Sequence, residues 1–325
     1  MLLDVRNLRI SIGGREIVHV EHLSLDKGDR LGLVGESGSG KTLMAMSLAG
    51  LQPPSAVVTG QVLLDGTDFA TLDDVAQART RGRSIGVVFQ DPLRSLNPLS
   101  RVGTQIAETL RINTALSRSQ IEDRVAQLAE QVRLPASSEF LRRYPHQLSG
   151  GQRQRVLIAM AIAHSPKLIL ADEPTTALDV TVQREILELL LSLCKAQDIA
   201  LIFVSHNLGV VRAVSENVAV LYGGQIVEIG SVDSVLGRPA HRYTEALIGA
   251  NPGRRRVSEL PMLQGQNLNT IEGSVATAGR YPRGCRFRPR CNFALAACEL
   301  PIAEAHRGAD HSFLCINPSE HARGV

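Results

Sequence analysis

The residues best suited to chemistry lie in four short runs. The first is Gly35-Glu36-Ser37-Gly38-Ser39-Gly40-Lys41-Thr42, which fits G-x-x-x-x-G-K-[ST]. It follows an apolar strand, Arg30 to Val34, and opens a helix expected over Thr42 to Leu51. Glycines at these positions let backbone N–H groups turn inward around phosphate oxygens, and the helix start adds its positive end. That spacing places Lys41 for β/γ-phosphates and the Thr42 hydroxyl for Mg2+. The second run, Leu168-Ile169-Leu170-Ala171-Asp172, is an apolar strand that delivers one carboxylate at its end, suited to hold Mg2+. Glu173 follows and is the candidate to orient and polarise an attacking water. An isolated Asp-Glu pair is ordinarily just a strand end; the phosphate loop upstream turns the reading toward phosphoryl chemistry.

The third run is Leu148-Ser149-Gly150-Gly151-Gln152-Arg153-Gln154-Arg155. It sets Ser149 and the N–H groups of Gly150 and Gly151 at the start of a helix expected to Gly150–His164, where an anion is welcome. The fourth is a set of cysteines, Cys285, Cys291, Cys298 and Cys315, separated by five, six and sixteen residues. Disulfides are disfavoured in a cytoplasmic chain. Zinc knuckles carry C-x₂₋₄-C pairs, which are missing here, and the spacing is not that of ferredoxins. Four thiolates nevertheless suit either zinc or an iron–sulfur cluster, and unligated structural thiols are a third reading. Cys194 falls mid-helix and reads as packing.

These runs need elements to position them. Strands are expected at Leu3–Ile12, Ile17–Leu25, Arg30–Val34, Gln61–Leu64 and Ser84–Phe89, from their β-branched and aromatic content. Residues 102–148 instead show apolar spacings of three and four, which predict a helical subdomain. Beyond it, Leu168–Ala171, Val182–Lys195, Ala200–Val204, Leu208–Val214 and Val218–Leu221 alternate strand and helix, the pattern of a mainly parallel sheet. A linker rich in Gly, Arg and Pro is expected over 251–279, and the cysteine-bearing remainder over 280–325.

The 325 residues suffice for one large domain or two smaller ones. The longest apolar run, Val156 to Ala163, is far too short for a bilayer. Met1-Leu2-Leu3-Asp4 starts neither a basic region nor an apolar signal core. The chain is therefore expected in the cytoplasm, tied to a membrane only through partner subunits. The net charge is +3. From Asn251 onward, ten arginines against six acidic residues, with no lysine, give +4, so the rest sums to −1. That is too weak for a nucleic-acid groove, and no nucleic-acid partner is expected.

With a second glycine motif between the phosphate loop and the acidic pair, the chain from about Leu2 to Asn251 resembles the ATP-binding subunit of an ABC transporter. The tail Gly284-Cys285-x-Phe287-x-x-Arg290-Cys291, with Cys298 and His311-x-x-x-Cys315, resembles the C-terminal extension of oligopeptide, dipeptide and nickel importer ATPases. Gln90-Asp91-Pro92-Leu93-x-Ser95-Leu96-Asn97-Pro98 and His241-x-Tyr243-Thr244-x-Ala246-Leu247 support the same subfamily. The resemblance implies an α/β fold: an ABC-type P-loop ATPase domain over 1–250 with a mixed sheet, an inserted helical subdomain at about 102–148, and a small Cys-bearing extension over 280–325.

It also implies roles. Gly35 to Thr42 would hold ATP, with Thr42, Gln90 and Asp172 at Mg2+. Gln90 would hinge toward the membrane subunits. Glu173 would activate water, and His206 would resemble the switch histidine that bonds the γ-phosphate. Ser149, Gly150, Gly151 and Gln152 would contact ATP held by the opposite subunit, and Thr176-Ala177-Leu178-Asp179 would cross to that subunit. Cys285, Cys291, Cys298 and Cys315 would carry a [4Fe-4S] cluster. Partners would be a second ATPase subunit, often a different chain, two permeases at the cytoplasmic face of the cell membrane, and indirectly an extracytoplasmic solute-binding protein. The chain departs from the family at the adenine platform: the aromatic position falls near Ile12, and no Phe, Tyr or Trp precedes Phe69. An aliphatic face or His19 would have to serve. Competing readings are a non-transport ABC ATPase of the translation or DNA-repair type and a regulatory nucleotide-binding subunit. The former carry paired ATPase domains, coiled coils or zinc inserts not seen here; against the latter stand intact Lys41, Asp172, Glu173 and His206.

Overall fold

The computed structural model describes residues 1–176, 178–250 and 270–320. Residues 251–269 of the expected linker, and Ala177 of the expected crossing loop, lie outside the described residues. Among the described residues twelve strands form a single mixed sheet: β1 (Leu3–Ile12), β2 (Arg15–Leu25), β3 (Arg30–Val34), β4 (Ala56–Leu64), β5 (Thr67–Asp68), β6 (Ile85–Val88), β7 (Leu168–Asp172), β8 (Ala200–Val204), β9 (Asn217–Tyr222), β10 (Gln225–Ser231), β11 (Ala305–His306) and β12 (His311–Phe313). The order is β5-β4-β1-β2-β10-β9-β3-β8-β7-β6, with β12 on β10 and β11 on β12.

Strands β9, β3, β8, β7 and β6 run parallel. Every residue of β7 and β8 is buried, as a parallel sheet covered on both faces requires. Their side chains alternate between two cores. Ile169, Ala171, Leu201 and Phe203 join one core with Ile186, Leu190, Val156 and Ile158. Leu168, Leu170, Ile202 and Val204 join the other with Leu3, Val5, Leu33 and Met44. The period of two thus sends one strand's residues to both layers.

The expected helical subdomain consists of helices Val102–Asn113, Arg118–Gln131 and Ser138–Leu141. Ser117 and Gln120 close a capping box on the second. Val102, Ile106 and Leu110 from the first, with Ile121, Val125 and Leu128 from the second, are buried in the first core. Each such buried aliphatic contributes about 1.5–3 kcal/mol.

Some expectations shift. The strand expected from Gln61 begins at Ala56, where pairing with β1 extends it. Ser84 ends a helix, Asp74–Ser84, that the sequence did not suggest, because that helix buries none of its residues and shows no apolar stripe. Helices Val232–Gly237 and Arg242–Gly249 and strand β10 were likewise unforeseen.

Residues 270–320 carry little regular structure, with single turns at Arg288–Arg290 and Ala296–Glu299. They attach through β12, which pairs Phe313, Ser312 and His311 with Glu228, Ile229 and Gly230. A buried carboxylate reinforces the joint. Glu228 accepts from the backbone N–H of Ala240 (2.6 Å) and His241 (2.9 Å) and pairs with His311 Nε2 (2.7 Å). Phe287 enters the first core beside Tyr222 and Tyr243.

Candidate functional site

The parallel strands deliver the candidate residues to one edge. β3 runs into Gly35–Gly40, β6 leads to Gln90, β7 ends at Asp172-Glu173, and β8 leads to His206. Ligands of open α/β sheets bind outside the carboxyl ends of the strands.

The phosphate loop is shaped by contacts only glycine permits. A Cβ on Gly35 would lie 2.1 Å from the carbonyl oxygen of Leu221. Gly40 has φ of 99°, and a Cβ there would meet Val18 at 2.8 Å. The turn after β9 grips the loop from behind, with Gly224 N–H donating to the Ser39 carbonyl at 2.9 Å. Helix Lys41–Leu48 begins without a side-chain cap, so its first N–H groups face the loop. Lys41 is buried, and its Nζ donates to the carbonyls of Gly35 (2.8 Å) and Glu36 (2.9 Å). Burial lowers its pKa, against the opposing charges of Glu173, Asp172 and Glu36.

Thr42 Oγ1 donates to Asp172 Oδ1 at 3.1 Å, which joins two of the expected Mg2+ residues. Burial raises the Asp172 carboxyl, and Glu173 pushes it the same way. Glu173 itself sits at φ 44°, an unusual backbone for a non-glycine residue, with its N–H on the Val204 carbonyl at 3.0 Å. Its carboxylate is held on both oxygens. Gln90 Nε2 (3.1 Å) and Thr176 Oγ1 (2.9 Å) donate to Oε2, and His206 Nδ1 lies 2.9 Å from Oε1. Burial pushes Glu173 up, but the hydrogen bonds from His206 and Thr176 and the charges of His206 and Lys41 outweigh it, and the carboxyl lies below its ordinary range. It stands ionised and oriented, the condition a general base needs.

Ser149–Gln152 form a separate, self-capped helix start. Ser149 Oγ accepts from Gln152 N–H, and Gln152 Oε1 accepts from Ser149 N–H. These bonds stay within the motif. Gly151 packs against the following helix, where a Cβ would meet Val182 at 2.6 Å.

The four tail cysteines are free thiols and line one small cavity with His241, Phe287 and Ile302. Cys285 N–H donates to the Cys298 carbonyl at 2.9 Å. Burial, with the neighbouring thiols adding to it, pushes Cys285 up to about 11 and raises Cys291 and Cys315. The donor set is that of a soft metal or cluster. Among the described residues, however, no three His, Cys, Asp or Glu side chains are placed as a ligand group. His241, which burial pushes down to about 4, accepts Tyr243 N–H on Nδ1 and presents Nε2 to Cys285 Sγ at 3.9 Å. Cys194 is buried in the first core, its thiol pushed by burial up to about 12, as a packing residue would be.

Two contacts were not legible in the sequence. Arg290 reaches across 254 positions to take both oxygens of Glu36, at 2.7 and 3.0 Å. Tyr243 Oη accepts the Glu36 N–H at 2.8 Å. Arg290 and Tyr243 stand inside motifs noted above, but no spacing rule couples them to the loop. Tyr281, also from the tail, donates to the Ile17 carbonyl at 3.2 Å and lies under the Arg286 guanidinium, so an aromatic ring does reach β2 next to the loop. Ile12 and His19 remain half-buried on β1 and β2.

Comparison with known proteins places the whole chain in a family. The ABC transporter family model matches residues 18–176, and the oligopeptide/dipeptide transporter C-terminal region model matches residues 227–298. A protein of Brucella ovis assigned by name as a peptide import ATP-binding protein is 40% identical over 335 aligned positions, covering 99% of this chain and 98% of its own. A Brucella abortus protein of the same designation is 42% identical over 305, covering 92% and 90%. Among solved structures, the ATP-binding cassette MJ0796, a dimer in a post-hydrolysis state with ADP and Pi, has a TM-score of 0.62 at 30% identity, covering 71% of this chain and 99% of its own. CbiO1 of Clostridium perfringens, part of the transporter complex cbiONQ, has a TM-score of 0.63 at 26% identity, covering 72% and 90%. These matches do not favour a translation, DNA-repair or purely regulatory role. The protein is an ATPase that uses ATP and Mg2+, an ATP-hydrolysing importer subunit, and it belongs to the ABC transporter ATP-binding subunits of the oligopeptide/dipeptide importer family.

Proposed function

We propose that this subunit hydrolyses ATP to drive import of peptides, or of a related small solute such as nickel, through two membrane permeases. The observation that carries the reading is the Gln90–Glu173–His206 network, set at three strand ends beside the Thr42–Asp172 pair. Gly35 to Thr42 cradle the phosphates, with Lys41 on the β/γ-oxygens. Thr42, Gln90 and Asp172 are the residues that would hold Mg2+, which when bound neutralises phosphate charge and polarises the transferring group. Glu173 orients a water in line with the γ-phosphate and takes its proton, while His206 holds the carboxylate and the γ-phosphate in one frame.

Ser149, Gly150, Gly151 and Gln152 act on ATP held by a second ATPase subunit, so nucleotide brings two chains together and hydrolysis releases them. That pair docks on the permeases at the cytoplasmic face of the cell membrane, fed from outside by a solute-binding protein. Among the described residues no helix is long and apolar enough to cross a membrane. Cys285, Cys291, Cys298 and Cys315 are the residues that would hold a [4Fe-4S] cluster; four free thiols lining one cavity support this reading. A cluster there would order the extension rather than move electrons.

The test is hydrolysis by the subunit assembled with its permeases in vesicles. Addition of peptide-loaded binding protein should stimulate turnover, and Ser149→Arg should abolish the stimulation while leaving ATP affinity of the isolated subunit intact. Loss of that affinity would overturn the role across subunits, and stimulation by nickel but not peptide would reassign the solute.

A further inference from the structure

Glu36 brings a negative charge into a loop shaped for polyanions. Its charge is felt by Lys41, whose Nζ also bonds the Glu36 carbonyl. Left alone, the carboxylate would repel the incoming phosphates. The tail answers it. Arg290 is nearly buried and takes Glu36 with a two-pronged ion pair at 2.7 and 3.0 Å. Its remaining N–H groups are also used. Nε donates to Glu272 O (2.8 Å), Nη2 to Ile271 O (3.2 Å) and Gly273 O (3.3 Å), and Nη1 to Tyr222 Oη (3.4 Å). The guanidinium also lies over the Tyr222 and Phe287 rings. Only a planar five-donor group can satisfy this set.

We propose that Arg290 is a positioning residue for the ATP site: it cancels the Glu36 charge at the phosphate loop, so that nucleotide affinity depends on the folded cysteine tail. The inference rests on the loop 35–42 being the ATP phosphate site. It also gives the tail a role in the reaction, because Arg290 immediately precedes Cys291 and Phe287 anchors the same turn in the ATPase core.

Dissociation constants of a fluorescent ATP analogue would be measured on the full-length chain, together with circular dichroism and iron, sulfide and zinc content. Arg290→Ala should weaken binding roughly tenfold, about the worth of one uncompensated charge near the phosphates. Arg290→Ala with Glu36→Gln should restore binding to within about threefold of the parent, because the repelling charge is gone. Glu36→Gln alone should tighten binding about threefold, since Arg290 then faces the phosphates uncompensated. Unchanged affinity in Arg290→Ala would overturn the proposal. So would a loss that Glu36→Gln does not relieve, which would make Arg290 a tail-folding residue only. Should Arg290→Ala fail to fold, weaker binding by Glu36→Gln alone would overturn it equally. Lys41→Ala separates the underlying reading: if it leaves affinity unchanged, the loop is not the ATP site at all.

Discussion

The phosphate site and the cysteine pocket, both small clusters of reactive side chains, are built on different terms. At the candidate phosphate site the residues follow from the carboxyl ends of buried parallel strands, and the sheet's order brings β3, β6, β7 and β8 to one edge. The pocket has no such frame. Its four cysteines sit in turns and irregular chain, held to the ATPase body by Phe287, by β12 and by the Glu228 and Arg290 ion pairs. The second depends on surfaces that belong to the first, and Arg290 returns the dependence to the phosphate loop. A site framed by strands fails by losing chemistry, whereas a site framed by contacts fails by losing its shape.

The sharpest break should come from Glu173→Gln. The amide keeps the size of the side chain but cannot take a proton, so kcat should fall about 10²- to 10⁴-fold, with nucleotide affinity retained and an ATP-bound dimer accumulating on size-exclusion chromatography. Near-normal turnover in the assembled transporter would remove Glu173 from its role.

Cys291→Ser should act on the other region. Iron and sulfide should be lost from anaerobically purified protein, and the tail should become protease-sensitive. Because Arg290, the preceding residue, ties the tail to Glu36 of the loop, ATP affinity should fall by about the roughly tenfold of Arg290→Ala, while the sheet's thermal transition stays in place. Stoichiometric zinc, without iron or sulfide, would defeat the cluster assignment.

The smallest effect is one of pH. Burial raises the Glu173 carboxyl, and the His206 hydrogen bond is the largest counterweight. Activity that needs the carboxylate is present above its pKa and lost as pH falls through it. His206→Ala leaves burial less opposed, so the acid limb of kcat should move to higher pH. A profile that keeps its acid limb would mean that another group carries the proton.

Much of this protein was legible in the chain because its signals are local. A strand, a glycine loop and a helix start are consecutive in sequence, so Gly35 to Thr42 declares its own geometry. The same holds for the helix start at Ser149 and for the apolar strand that ends in Asp172. Helix Asp74–Ser84 escaped because it buries nothing, and β12 because a three-residue strand has too few positions to show a period. Tertiary structure alone decided that Gln90, Thr176 and His206 share one carboxylate and that Arg290 closes on Glu36. Residue type announces what a side chain can do, and spacing announces what lies within a turn or two. Which distant charges neutralise each other is settled only when the strands are ordered and the tail is laid across them.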